Sequence, residues 1–122
     1  MPGKTVLVAD DDDNIRTSIK DILELEGYTV YEADNGVKTL SLYEAVQPDL
    51  LVLDIMMPEM DGASLSFELN SRFSGKKTPI IFISGMLSRN VQQVNSWPEN
   101  TVYLPKPFAI PELLALVKKS LG

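Results

Sequence analysis

Cysteine and histidine are both missing from the 122 residues of this chain. Without cysteine there is no disulfide framework and no thiolate metal site. Without histidine there is no imidazole ligand and no imidazole general base. No apolar run approaches the roughly 20 residues that span a bilayer. The N-terminus also lacks the basic residues and apolar stretch of a secretory leader, so the expected setting is cytoplasmic. Positive charge is scarce, with 11 Lys and Arg against 17 Asp and Glu and a net charge of −6. That balance argues against nucleic acid as a direct partner, because phosphate binding needs a basic surface. Lys76-Lys77 and Lys118-Lys119, the basic doublets, read as solvated faces. There is no repeat, low-complexity segment or linker, so residues 1–122 are read as a single domain, which the length fits.

Short apolar runs stand at Val6–Ala9, Leu50–Leu53, Ile80–Ile83 and Val102–Leu104, with a more mixed one at Tyr28–Ala33. Runs this short suit strands buried on both faces, as in a parallel sheet. Helical patterns lie between them. Ile15, Ile19, Ile22 and Leu23 share a helix face, with Gly27 as the C-terminal stop. Val37, Leu40 and Tyr43 predict a second helix after Asn35-Gly36. Leu65, Leu69 and Phe73 predict a third. Ile110, Leu113, Leu114, Val117 and Leu121 predict a final one, with Pro111 in its opening turn. Ser88–Ser96 offers only Val91 and Val94, the weakest of five helical segments. Five strands alternating with five helices predict a doubly wound α/β domain. In such folds ligands bind beyond the carboxyl ends of the strands.

The residues just after the apolar runs are therefore the informative ones. The first strand delivers Asp10 and Asp11, which open a run of four aspartates, Asp10 to Asp13. Two carboxylates about 4 Å apart repel by roughly 4 kcal/mol at an effective dielectric near 20. Something positive belongs among them, or they splay into water. The third strand delivers Asp54, the fourth Ser84, and the fifth leads to Lys106. Carboxylates from two strand ends make a hard oxygen site suited to Mg²⁺, which keeps several waters and takes an added phosphate oxygen. A lysine and a hydroxyl across the crevice can hold phosphoryl oxygens. An aspartate can itself be the nucleophile, forming an aspartyl phosphate, and Asp54 is central and alone on its strand. Asp12 and Asp13 are expected to open the first helix, with Asp13 or Asn14 as its N-cap.

Four blocks in this order and spacing, ADDDDNIR, PDLLVLDIMMPEMDG, PIIFISG and YLPKPF, make the chain resemble the receiver domain of bacterial two-component response regulators along its whole length. The resemblance implies a flavodoxin-like five-stranded parallel sheet with strand order 2-1-3-4-5. It implies that Asp54 accepts a phosphoryl group from a histidine kinase or a histidine phosphotransfer protein. Mg²⁺ would be held by Asp10 (through water), Asp11, Asp54 and the backbone carbonyl of Met56. Ser84 and the Gly85 backbone N–H would bind one phosphoryl oxygen, and Lys106 would pair with another. Tyr103 matches the aromatic switch position. The Lys106–Pro107 bond would be cis. Such domains act on a downstream effector protein or domain, and some form phosphorylation-dependent homodimers. They catalyse only their own phosphorylation and dephosphorylation, so the chain is not expected to be an enzyme on other substrates.

Two departures from the family pattern carry expectations. Serine stands where threonine is commoner, which keeps the hydroxyl and drops a methyl. Met56 and Met86 flank the acceptor with apolar side chains, so no group there positions an attacking water and dephosphorylation is expected to be slow; a lifetime of seconds in the isolated phosphoprotein would contradict this. Two other functions fit part of the pattern. A Mg²⁺-dependent phosphatase working through an aspartyl phosphate needs a second acid two positions after the nucleophile, where this chain has Met56. A phosphorylation-independent scaffold would not need the full residue set. No helix-turn-helix or basic segment suggests DNA binding within the chain.

Overall fold

The computed structural model describes residues 4–54, 78–84, 101–105 and 108–121. Five strands are present there: β1 (Thr5–Ala9), β2 (Thr29–Ala33), β3 (Leu50–Asp54), β4 (Ile80–Ser84) and β5 (Thr101–Pro105). Three helices accompany them: α1 (Asp13–Leu25), α2 (Gly36–Val46) and α3 (Ile110–Leu121). The helical segments expected around Leu65–Phe73 and Ser88–Ser96 lie outside the described residues. The strands form one parallel sheet in the order β2-β1-β3-β4-β5, the order the resemblance implied.

Alternation along the strands divides the core in two. Val6, Val8, Leu50, Val52, Ile81 and Ile83 pack on one face with Ile19 and Leu23 of α1 and Leu113 and Val117 of α3. Leu7, Ala9, Leu51, Leu53 and Phe82 pack on the other with Tyr43 of α2. Both faces of the central strands are dry, which is why their sequences read as continuous apolar runs.

The cap of α1 falls one residue before the earlier of its two expected caps, Asp13 and Asn14. Asp12 is the N-cap, its carboxylate accepting from the N–H groups of Asn14 (2.9 Å) and Ile15 (3.2 Å). Asp13 is already helical, where its charge suits the positive end of the macrodipole. The far end closes at Gly27, with φ +95°, a conformation that costs side-chain-bearing residues dearly.

Helix α2 departs further from expectation. Asn35 caps it by accepting from Lys38 N–H at 2.8 Å. That start turns Gly36, Thr39 and Tyr43 toward the sheet and leaves Val37 half exposed. Thr39 tolerates burial because its hydroxyl donates to the Asn35 carbonyl at 2.7 Å. The α2 pattern therefore misled at Val37, where the position of the cap set the buried face.

Helix α3 opens with a reciprocal pair. Ala109 N–H donates to the Glu112 carboxylate (2.9 Å), and Glu112 N–H donates to the Ala109 carbonyl (3.0 Å). Pro111 sits in that first turn, where its missing N–H breaks nothing.

Candidate functional site

The parallel register brings the strand ends level. Ala9 of β1 stands opposite Leu53 of β3, so one residue further along both strands come Asp10 and Asp54. Each follows at two-residue spacing from an inward-facing valine, Val8 and Val52, of the α1/α3 face. Shared parity and shared level put the two carboxylates side by side. Asp11 follows in the turn. One oxygen from each of Asp10, Asp11 and Asp54 lies within 4.8 Å of the other two.

Burial makes this grouping informative. Asp10 is 1% exposed and Asp54 5% exposed, whereas Asp11 faces solvent. Charged carboxylates are rarely buried unless compensated, and here two of them face each other. Part of the compensation is local: Asp12 N–H donates to Asp10 Oδ1 at 2.9 Å. The donor set itself is three hard oxygens with few protein ligands, a fit for Mg²⁺ and a poor one for soft metals.

The other expected site residues are placed by backbone alone or lie outside the described residues. Ser84 ends β4, one position beyond Ile83, the register partner of Asp54. It stands opposite Pro105, which precedes Lys106 in the sequence. Tyr103 lies in β5 opposite Phe82. Met56, Gly85, Met86, Lys106 and Pro107 lie outside the described residues.

A basic side chain that the sequence reading passed over sits directly behind the acidic group. Arg16 of α1 donates through Nη1 to the Asp10 backbone carbonyl (2.8 Å), through Nε to Glu32 (3.2 Å) and through Nη2 to Asp13 (2.6 Å). Its side chain is 14% exposed. Partial burial opposes its charge, yet hydrogen bonds and charge from Asp13 and Glu32 outweigh that and hold its pKa above the ordinary value. Lys20 approaches the other Glu32 oxygen at 3.5 Å. The Asp13–Arg16 spacing on a helix was the available signal; Glu32, on a neighbouring strand, gave none. Asp34, just past β2, also stands at this edge, but it pairs with Lys38 at 3.2 Å and its pKa is held below the usual carboxylate range by that hydrogen bond.

Comparison with known proteins agrees with this geometry. The family model described as "Response regulator receiver domain" matches residues 6–118. Response regulator MprA of Mycobacterium ulcerans is 39% identical over 115 residues, covering 93% of this chain and 48% of the relative. The chain thus spans about half the length of the curated relatives it matches. Among solved structures, the receiver domain of Francisella response regulator 1452 superposes with a TM-score of 0.83 at 36% identity, covering 97% of this chain and 96% of that one. Response regulator TrrA of Thermotoga maritima, solved in complex with Mg²⁺ and BeF, superposes with a TM-score of 0.85 at 34% identity and covers 97% of this chain and 99% of that one. No described helix is long and apolar enough to cross a membrane. With sheet order, acidic strand ends and matched sequence all in agreement, the chain belongs to the response regulator receiver domain family of two-component signalling.

Proposed function

We propose that the chain is a phosphorylation-controlled switch in which Asp54 accepts a phosphoryl group from a phosphohistidine on a histidine kinase or histidine phosphotransfer protein. The observation that carries this is the gathering of the Asp10, Asp11 and Asp54 carboxylates from two adjacent strand ends within 4.8 Å. The Mg²⁺-and-BeF complex of TrrA supports the choice of ion and of ligand chemistry.

Asp10, Asp11 and Asp54 would hold Mg²⁺, together with the Met56 carbonyl. When bound, the ion offsets carboxylate repulsion and the charge of the incoming phosphoryl oxygens. A carboxylate oxygen of Asp54 forms the new O–P bond, the P–N bond to the donor imidazole breaks, and the imidazole leaves with its electron pair and takes up a proton. Burial of Asp54 fixes its attack direction and limits bulk water at the acyl phosphate. Ser84 and the Gly85 N–H donate to one phosphoryl oxygen, and Lys106 pairs with another. Phosphorylation adds up to about one negative charge and three acceptor oxygens. Drawing Ser84 and Lys106 toward them biases a two-state rearrangement of the partner-binding face, with Tyr103 following. The effector that reads that face, and any phosphorylation-dependent homodimer, belong to the same proposal.

The test is intact mass after incubation with a small phosphodonor, with and without Mg²⁺. Wild type is expected to gain one phosphoryl group only with the metal, and Asp54→Asn to gain none. Equal labelling of the Asn variant refutes the assignment.

A further inference from the structure

We propose that Arg16 is a positioning residue for the acidic group, holding the Asp10–Asp11 peptide in the orientation that presents both carboxylates beside Asp54. This rests on the reading of that group as a divalent-cation site.

The Arg16 guanidinium spends three donors on three different elements. It reaches the last backbone carbonyl before the acidic turn (Asp10), the first residue of α1 (Asp13), and the penultimate residue of β2 (Glu32). A planar fork with fixed donor angles is suited to such a junction, where an ammonium is a single point. The Asp10 carbonyl belongs to the peptide that joins Asp10 to Asp11, so fixing it fixes how the second carboxylate leaves the strand. Two other bonds hold the same turn: Asp10 N–H to the Ala33 carbonyl at 3.1 Å, and Asp12 N–H to Asp10 Oδ1. Both restrain residues on either side of the peptide, whereas Arg16 restrains the peptide plane itself.

Charge alone would work against this role. A bare cation behind a cation site weakens binding there. Asp13 and Glu32 both pair with Arg16, and Lys20 offsets the second Glu32 oxygen. These four groups sum to zero formal charge, so the contribution of Arg16 is geometric. That gives opposite expectations for two variants. If geometry rules, Arg16→Met and Arg16→Lys both weaken cation binding. If charge rules, Arg16→Met binds as tightly as wild type or more tightly.

The experiment titrates Mg²⁺ into the 122-residue chain and follows backbone amide NMR shifts of Asp10 to Asp12. Wild type, Arg16→Met, Arg16→Lys, Glu32→Gln, Lys20→Met and Asp54→Asn are compared, with thermal stability of each measured in EDTA. Arg16→Met and Arg16→Lys are expected to raise the Mg²⁺ Kd about tenfold, the usual effect of losing an outer partner of a metal ligand. Glu32→Gln is expected to raise it less, and Lys20→Met not at all. Should Arg16→Met fail to fold, Arg16→Lys and Glu32→Gln decide the question. Wild-type affinity in folded Arg16→Lys overturns the proposal, as does an affinity loss in Lys20→Met equal to that in Arg16→Lys. If Asp54→Asn binds Mg²⁺ as wild type does, the cation-site reading fails instead, and the two failures are told apart.

Discussion

Strand β3 carries an aspartate at each end of its run, and the two have opposite surroundings. Asp49, just before the strand, accepts from Thr5 N–H at 2.9 Å and returns a bond from its own N–H to the Thr5 carbonyl at 2.8 Å. Asp54, at the other end, is buried against two further carboxylates. One closes the sheet edge with reciprocal hydrogen bonds; the other lies buried within the acidic group. The same residue type, five positions apart, ties two strands together at one edge and joins a group of carboxylates at the other. Among the described residues, the acidic group thus stands at the carboxyl edge, and at the amino edge Asp49 ties β3 to β1.

This contrast is broken most directly by removing each carboxylate in turn. Asp49→Ala strands a partly buried N–H of Thr5 and is expected to lower stability by about 2 kcal/mol, read from urea unfolding, with Mg²⁺ affinity unchanged. Asp54→Asn is expected to act in the opposite direction. In metal-free buffer it relieves like-charge repulsion and raises stability by about 1 to 2 kcal/mol. The order reverses with metal: Mg²⁺ at about 100 times its Kd stabilises wild type by roughly 2.7 kcal/mol and the Asn variant not at all. A metal-free Asp54→Asn less stable than wild type would mean that Asp54 is a satisfied structural carboxylate like Asp49.

Gly27 sharpens the same comparison. It closes α1 at the amino edge with φ +95°, and a Cβ there meets nothing within 4 Å. The cost of Gly27→Ala is therefore backbone strain alone, about 1 kcal/mol, measurable as a lower unfolding midpoint. Metal affinity is expected to stay at the wild-type value.

The two edges also differed in how well the sequence exposed them. All five strands were legible, the central ones because burial on both faces writes a continuous apolar run, while edge strand β2, partly exposed, showed only a mixed one. The grouping of Asp10 with Asp54 followed once the strands were placed, since parallel strands that end level must bring their next residues together. Helix caps were less legible. Four consecutive aspartates offer several equivalent caps, and only the backbone geometry selects Asp12. Val37 misled for a related reason: the Asn35 cap fixes the rotation of α2, and that rotation buries Thr39 instead. Arg16 went unassigned because one of its partners is a backbone carbonyl, which carries no residue identity, and another, Glu32, lies on a strand sixteen positions away.

The smallest expected effect concerns Asp34, an acid at the carboxyl edge that is not part of the acidic group. It precedes the cap of α2 and pairs with Lys38 in the first turn of that helix, and the Lys38 hydrogen bond holds its pKa below the usual carboxylate value near 3.8. A carboxyl with a depressed folded-state pKa contributes its stability above the unfolded value and loses it as pH falls through the folded one. Both groups are largely exposed, so the contribution is small at any pH. Lys38→Met is expected to raise the Asp34 titration midpoint toward the ordinary value by NMR, with stability at pH 7 and Mg²⁺ affinity unchanged. An acid with its own cation can then stand at the functional edge without joining the site, and position alone does not recruit a carboxylate. A change in Mg²⁺ affinity in Lys38→Met would extend the cation site to β2 and erase that distinction.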